Sequence, residues 1–274
     1  MILRFKFFIL FAFSMLVGFS TVSAQQQTAE KPSKKERQEA KRQAADAAKN
    51  VTAEQVAEST ILIYGNLSGR ALLNQIRKTS LERGRISVVN AEGKTEQANY
   101  ERWVLRADAL DKERIRFEQE FPNAKYALVY NNDKIFGLYN ESVFTPREDA
   151  LKSFENQIWR GLEGLLRYKE NGSTLALGGR EKMLGVDFYQ VDVTDKQNRK
   201  TRYYVSSKSF RVMMLEYTEG ETKYRRRFYD YKIAQGTLHP FRSVLWANDK
   251  QIEETEVQTI TFGQKVEENI FQEG

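Results

Sequence analysis

His239 is the only histidine in the chain, and there is no cysteine. A histidine acts as a general base, as the partner of a nucleophile or as a metal ligand only with companions within hydrogen-bonding reach. Here it stands in Leu238-His239-Pro240-Phe241, with neither HExxH spacing nor a Cys/His cluster, so it reads as a turn or strand-edge residue. The missing cysteine excludes disulfide scaffolds, thiolate zinc sites, iron–sulfur clusters, thiol catalysis and lipid attachment through an N-terminal cysteine. No GxSxG string, no phosphate-binding GxxxxGK loop and no GxGxxG after a strand is present. Gly178-Gly179 leads into Arg180 and not into a helix start, as a bulge or turn would. The pairs Glu253/Glu254 and Glu267/Glu268 are sequence neighbours, so in a strand they point to opposite faces and cannot act as the facing carboxylates of a glycosidase. These residues do not assemble a catalytic set, and neither an enzyme, a cofactor nor a metal site is expected.

The densest charge is Arg225-Arg226-Arg227, set among Tyr224, Phe228, Tyr229 and Tyr231. Basic residues interleaved with aromatics can bind nucleic acid. Strand alternation splits this run, with Arg225 and Arg227 on one face beside Tyr229 and Tyr231, and Arg226 on the other beside Tyr224 and Phe228. A ladder against Glu216, Glu219 and Glu221 accounts for the arginines, and an anionic headgroup or carboxylate contact at Arg225 and Arg227 is the functional alternative. The net charge of +6 is concentrated near the N-terminus, leaving the rest without a basic face large enough for nucleic acid.

Arg4 and Lys6, an apolar run over residues 7–19, and Val22-Ser23-Ala24 make a secretory signal peptide cleaved after Ala24. The run is shorter than the roughly 20 residues that cross a bilayer. Export without cysteine fits a bacterial periplasm and a soluble mature protein. Residues 25–50 hold seven basic side chains against four acidic ones, with no aromatic residue. Such a segment buries too little to offset its ordering entropy and reads as a basic tether, with a membrane surface or cell-wall polymer as its candidate contact. Residues 51–274 then form a single domain.

The elements that position these groups are mostly strands. Thr52 and Gln55 have capping-box spacing, which predicts a helix over 53–64, and a second is expected over 72–81. From Gly84 the period changes to two: Trp103 and Leu105 alternate with Arg102, Val104 and Arg106, and Ile115, Phe117 and Phe121 with Arg114, Arg116 and Glu120. Asn132-Asp133 marks a hairpin. Leu151, Phe154, Ile158, Leu162 and Leu165 share one face of a helix over 148–168, weakened by Gly161 and Gly164, and are read either as packing or as a lid over a cavity. Seven further strands follow from residue 174 to 262. Roughly 11 or 12 antiparallel strands with accessory helices are too many for a flat sheet, so a mainly β, open barrel is expected.

Several strings carry a family resemblance. Gly185-Val186-Asp187-Phe188-Tyr189-Gln190-Val191 opens a strand pair, and Arg202-Tyr203-Tyr204-Val205 and Val212-Met213-Met214-Leu215 form a hairpin. Phe228-Tyr229-Asp230-Tyr231 leads to Gly236 and His239-Pro240-Phe241, and Asn269-Ile270-Phe271 closes the chain. In this order, behind a signal peptide, they resemble the periplasmic carriers of outer-membrane lipoproteins. The resemblance implies an unclosed antiparallel β-barrel whose helices cover the concave face, and a non-enzymatic carrier or chaperone that shelters acyl chains of a lipid or lipoprotein. Candidates for that lining are Trp103, Leu105, Ile115, Phe117, Phe121, Met213, Leu215, Trp246, Ile260 and Phe262, each of which also suits ordinary sheet packing. The alternative on the same scaffold is a periplasmic protein- or peptide-binding module.

Overall fold

The computed structural model describes residues 51–273 except Ala91 and Glu141. The expected signal peptide and tether lie outside the described residues. Thr52 caps the first helix as its sequence spacing predicts: its hydroxyl accepts from the Gln55 amide at 3.2 Å, and the Gln55 side chain accepts from the Thr52 amide at 2.9 Å. That helix, α1, spans Ala53–Tyr64 and is followed by α2, Gly69–Ile76. The second helix ends earlier than the expected 81, because residues from Thr79 onward join a strand.

Six strands precede the central helical segment: β1 (Thr79–Val89), β2 (Thr95–Leu105), β3 (Arg114–Phe121), β4 (Ala124–Asn131), β5 (Lys134–Tyr139) and β6 (Ser142–Phe144). Seven follow it: β7 (Thr174–Met183), β8 (Val186–Thr194), β9 (Lys200–Ser206), β10 (Val212–Glu219), β11 (Thr222–Ala234), β12 (Thr237–Ala247) and β13 (Lys250–Phe262). All belong to one 13-stranded antiparallel sheet in which each strand pairs with its sequence neighbours, save at two places. β6 and β7 do not pair and form the free edges, while β1 pairs with β13 and joins the two halves. The sheet is therefore the open barrel read from the strand pattern, with β6 too short to show an alternation of its own. Gly178-Gly179 is the expected bulge, where the β7–β8 register shifts and Gly179 takes φ 123°, a conformation glycine adopts without strain.

Helices cover one face of the sheet, the inner face. The anticipated helix over 148–168 is broken in two, α3 (Glu148–Trp159) and α4 (Leu162–Leu166), with Gly161 in an extended conformation between them. The interruption falls where glycine lowers helix propensity. Tyr203 exploits it by donating to the Gly161 carbonyl at 2.7 Å. Gly164 meets the same hydroxyl closely: a Cβ there would lie 2.6 Å from it.

Two cores lie on the inner face. One packs Val56, Ile61 and Tyr64 of α1 and Leu165 of α4 against Val191, Tyr203, Leu215 and Phe228. The other packs Phe154 and Ile158 of α3 against Ile86, Tyr100, Ile115, Phe117 and Leu128. The outer face has its own cover, since Phe271, fully buried in a 3-10 turn (Glu268–Phe271), packs on Ala127, Val129, Phe136 and Leu138. Arg116 and Asn131 hold this turn by donating to the carbonyls of Ile270 and Phe271, each at 3.0 Å.

Candidate functional site

Strand alternation decides what the inner face presents. On β2 the inward side chains are Tyr100, Arg102 and Val104, with Arg106 just beyond the strand end. β1 adds Glu82 and Ile86, β3 adds Ile115 and Phe117, and β13 adds Glu253, Val257, Ile260 and Phe262. α3 crosses above them as an amphipathic strap. Phe154 and Ile158 point down into the sheet, while Asn156 donates to Glu219 at 2.8 Å and Arg199 meets Glu155 at 3.0 Å.

Three cavities follow one another beneath and beside this strap. The outermost, about 480 Å³, opens near β6 and is lined by Tyr126, Leu128, Val143, Phe144, Pro146 and Ala150. It shares Tyr126, Leu128 and Ala150 with a middle cavity of about 880 Å³, which continues over Ile86, Val88, Phe117, Phe121, Leu245 and Ile252. The middle cavity shares Ile86, Phe117, Arg226 and Glu253 with the innermost, about 200 Å³, which reaches Arg77, Glu82, Arg106, Glu163 and His239. They make one trough, apolar at its β6 mouth, with charged side chains along the rim of the middle cavity and a cluster of ion pairs at the inner end.

The inner end is organised by three carboxylates. Glu163 of α4 receives Arg77 at 2.7 Å and Arg106 at 2.5 Å. Burial works to raise the Glu163 carboxyl, but the two guanidinium groups override it and hold it below the usual range. Every nitrogen of Arg77 is already engaged within the protein, because it also donates to Thr237 at 3.0 Å and to the Leu238 carbonyl at 2.6 Å. Glu82 lies 3.1 Å from His239 Nε2 and accepts from Tyr100 at 2.8 Å. Burial again opposes ionisation of Glu82, and His239 with Arg102 reverses it. Glu253 binds Arg226 at 2.7 Å. Nearby, Glu113 pairs with Arg167, whose guanidinium burial and the Arg106 charge bring down to about 10.

Of the residues singled out in the sequence, Ile115, Phe117, Ile260 and Phe262 line the innermost cavity and Phe121 the middle one. Leu215 is buried in the inner core against the α1 cluster. The structure places four others elsewhere. Trp103 and Leu105 pack on the outer face against the Phe271 cluster, Met213 packs against Phe188, Tyr204 and Met214, and Trp246 lies beneath Arg227 at 5.6 Å. For Trp103 and Leu105 the alternation is as read but the face is reversed, because the closing 3-10 turn supplies an apolar cover outside and leaves Arg102 and Arg106 to face inward. On the helical segment Phe154, Ile158 and Leu165 are buried and Leu151 and Leu162 partly so. Arg225 meets Glu216 at 2.8 Å and Asp249 at 3.1 Å, as the ladder reading requires. The arginine in the trough is the one between the two named for anion contact. Alternation alone signals this, since Arg226 shares its face with Phe228.

Among the described residues no cluster of three or more His, Asp or Glu side chains could hold a metal ion, and no helix is long and apolar enough to cross a membrane. No family model and no curated protein matches the sequence. Solved structures do match in fold. A DUF1329 family protein from Desulfovibrio piger superposes with a TM-score of 0.58 at 13% identity, over 80% of this chain and 97% of that one. A LolA superfamily protein from Nitrosomonas europaea gives 0.56 at 12% identity, over 81% and 98%. A domain assigned to outer membrane lipoprotein sorting in Vibrio parahaemolyticus gives 0.50 at 14% identity, over 80% and 97%. The fold is LolA-like.

Proposed function

We propose that this LolA-like chain is a non-enzymatic periplasmic carrier or chaperone that shelters acyl chains of a lipid or lipoprotein in the trough beneath α3. The observation that supports this most directly is the apolar outer cavity, about 480 Å³, and its continuation into a middle cavity of about 880 Å³ whose apolar floor is Ile86, Phe117, Phe121 and Leu128 and whose rim carries charged side chains such as Glu96, Glu148 and Lys152. Ligand sites commonly fall at roughly 300–1,000 Å³. Each methylene moved from water into such a space gains about 0.8 kcal/mol, so a partly enclosed chain of ten carbons is retained without a specific polar contact. Val143 and Tyr139, 49% and 48% exposed, stand at the mouth beside β6. Cargo enters there and competes with Phe154 for the floor.

The test is to express the full chain with export to a periplasm, purify it without detergent, and identify extractable lipid by native and denaturing mass spectrometry. Stoichiometric phospholipid or acylated protein is expected. A lipid-free protein that also fails to take up a fluorescent fatty acid overturns the carrier reading. A second reading, peptide binding by strand addition, is favoured by the two unpaired edges, since β7 offers ten residues of free edge with Leu177 exposed. A stable protein complex with an empty trough would support it.

A further inference from the structure

The innermost cavity carries more cations than its own carboxylates neutralise. Five arginines line it (Arg77, Arg102, Arg106, Arg160 and Arg226) against Glu82, Glu113, Glu163 and Glu253. Glu113 is engaged by Arg167, which lies outside the lining. Glu163 serves two guanidinium groups at once, and Glu253 is taken by Arg226. Arg102 stands opposite Glu82 in the β1–β2 register and its charge favours that carboxylate, but it closes no ion pair, and Arg160 has no carboxylate partner among the described residues. Arg160 donates instead to the Lys200 carbonyl at 2.9 Å and lies over the Tyr217 ring at 4.6 Å.

The arginines differ in what they have left to donate. All three nitrogens of Arg77 already bond within the protein, to Glu163, Thr237 and Leu238. Arg106 meets Glu163 through Nη2, and its Nη1, on a side chain 9% exposed, is buried without a hydrogen-bonding partner among the described residues. Arg160 Nε is in the same position. A buried, unpaired guanidinium donor is costly, and the planar fork of arginine matches an oxyanion.

We infer that the inner end of the trough is an oxyanion site, in which Arg106 and Arg102, backed by Arg160, take a phosphate group. The phosphate is that of an anionic lipid headgroup or a free phosphate ion. The lipid source rests on the carrier reading, and it orients cargo with its headgroup at the Glu163 end and its acyl chain toward β6. The site then selects among amphiphiles by charge, while the apolar trough retains them by chain length.

The probes are palmitoyl lysophosphatidylglycerol, monopalmitoylglycerol and inorganic phosphate, titrated onto delipidated protein. The anionic lipid is expected to bind at least about tenfold more tightly than the neutral one. Arg106→Gln should erase that difference by weakening the anionic lipid far more than the neutral one. Because Arg106 also holds Glu163, Arg102→Gln, which breaks no direct ion pair, is the second variant and should narrow the difference while circular dichroism shows the protein still folded. Equal affinity of both lipids overturns the oxyanion site and leaves the carrier reading standing. Phosphate that binds the wild type but not Arg106→Gln, with no uptake of either lipid, supports the site with a free ion as its ligand and overturns the carrier reading. Failure of all three probes overturns both.

Discussion

Arg226 of β11 reaches across β12 to Glu253 of β13, closing at 2.7 Å with the side chains 14% and 6% exposed. Its neighbours Arg225 and Arg227 point to the opposite face, where Arg225 meets Glu216 and Asp249. Burial alone would lower the pKa of Arg226, and Glu253 reverses the shift. Removing one partner from a buried pair leaves an uncompensated charge. Glu253→Ala should therefore cost about 3–5 kcal/mol in urea unfolding, against about 1 kcal/mol or less for Asp249→Ala, whose side chain is 84% exposed.

Gly164 lies against Tyr203, and the added methyl of Gly164→Ala would meet the Tyr203 hydroxyl at 2.6 Å. Crowding of this kind costs about 1–3 kcal/mol. Combining it with Tyr203→Phe should recover part of that loss in a double-mutant cycle, even though the bond to Gly161 is given up. Strict additivity of the two changes would show that the contact does not govern this position.

Glu58 of α1 joins the helices near the N-terminus by accepting from Arg70, Lys169 and Tyr168 at 2.8 Å each. Burial would raise its carboxyl, but the hydrogen bonds from Lys169, Arg70 and Tyr168 prevail and bring it to about 2 from 4.5. A depressed carboxylate contributes stability that is fully present above its unfolded pKa and is lost as pH falls from 4.5 through about 2. With a side chain 39% exposed, screening reduces the contribution to about 1 kcal/mol. The stability difference between wild type and Glu58→Gln, followed by urea melts, should shrink steadily over that acid range. A difference that stays constant with pH would refute the assignment.

Phe144 of β6 lies over Gly137 of β5, so that a Cβ at residue 137 would collide with its ring. Gly137→Ala should turn Phe144 out of place and widen the outer mouth of the trough. The expected outcome is faster uptake of a fluorescent fatty acid in stopped flow, with a loss of about 1–3 kcal/mol in stability. Unchanged uptake kinetics would place the entrance elsewhere.

The elements were largely legible in the sequence, because alternation and capping are local. Thr52 and Gln55 marked α1, and Asn132-Asp133 marked the β4–β5 turn. Which face of β2 looks inward was not legible, since Trp103 and Leu105 offer a better apolar stripe than Arg102, Val104 and Arg106. That choice is made by Phe271, far along the chain, whose burial against the outer face satisfies Trp103 there. The Asn269-Ile270-Phe271 string was visible, but no local rule says what it covers. The inner charges escaped for the same reason: Arg77 follows α2, Arg106 follows β2 and Glu163 lies in α4, and only their meeting at 2.5–2.7 Å makes them a cluster.

The pairing of β1 with β13 also sets the order in which the molecule can be completed. Every other strand contact joins consecutive strands and can form as soon as its hairpin exists, whereas Leu81 must wait for Thr261. Closing so distant a contact is slow on entropic grounds. Until the last strand arrives, Ser80, Glu82 and Ile86 flank an unsatisfied edge and the trough has no far wall. A truncation that removes β13 would leave two separate meanders, β1–β6 and β7–β12, in place of one container.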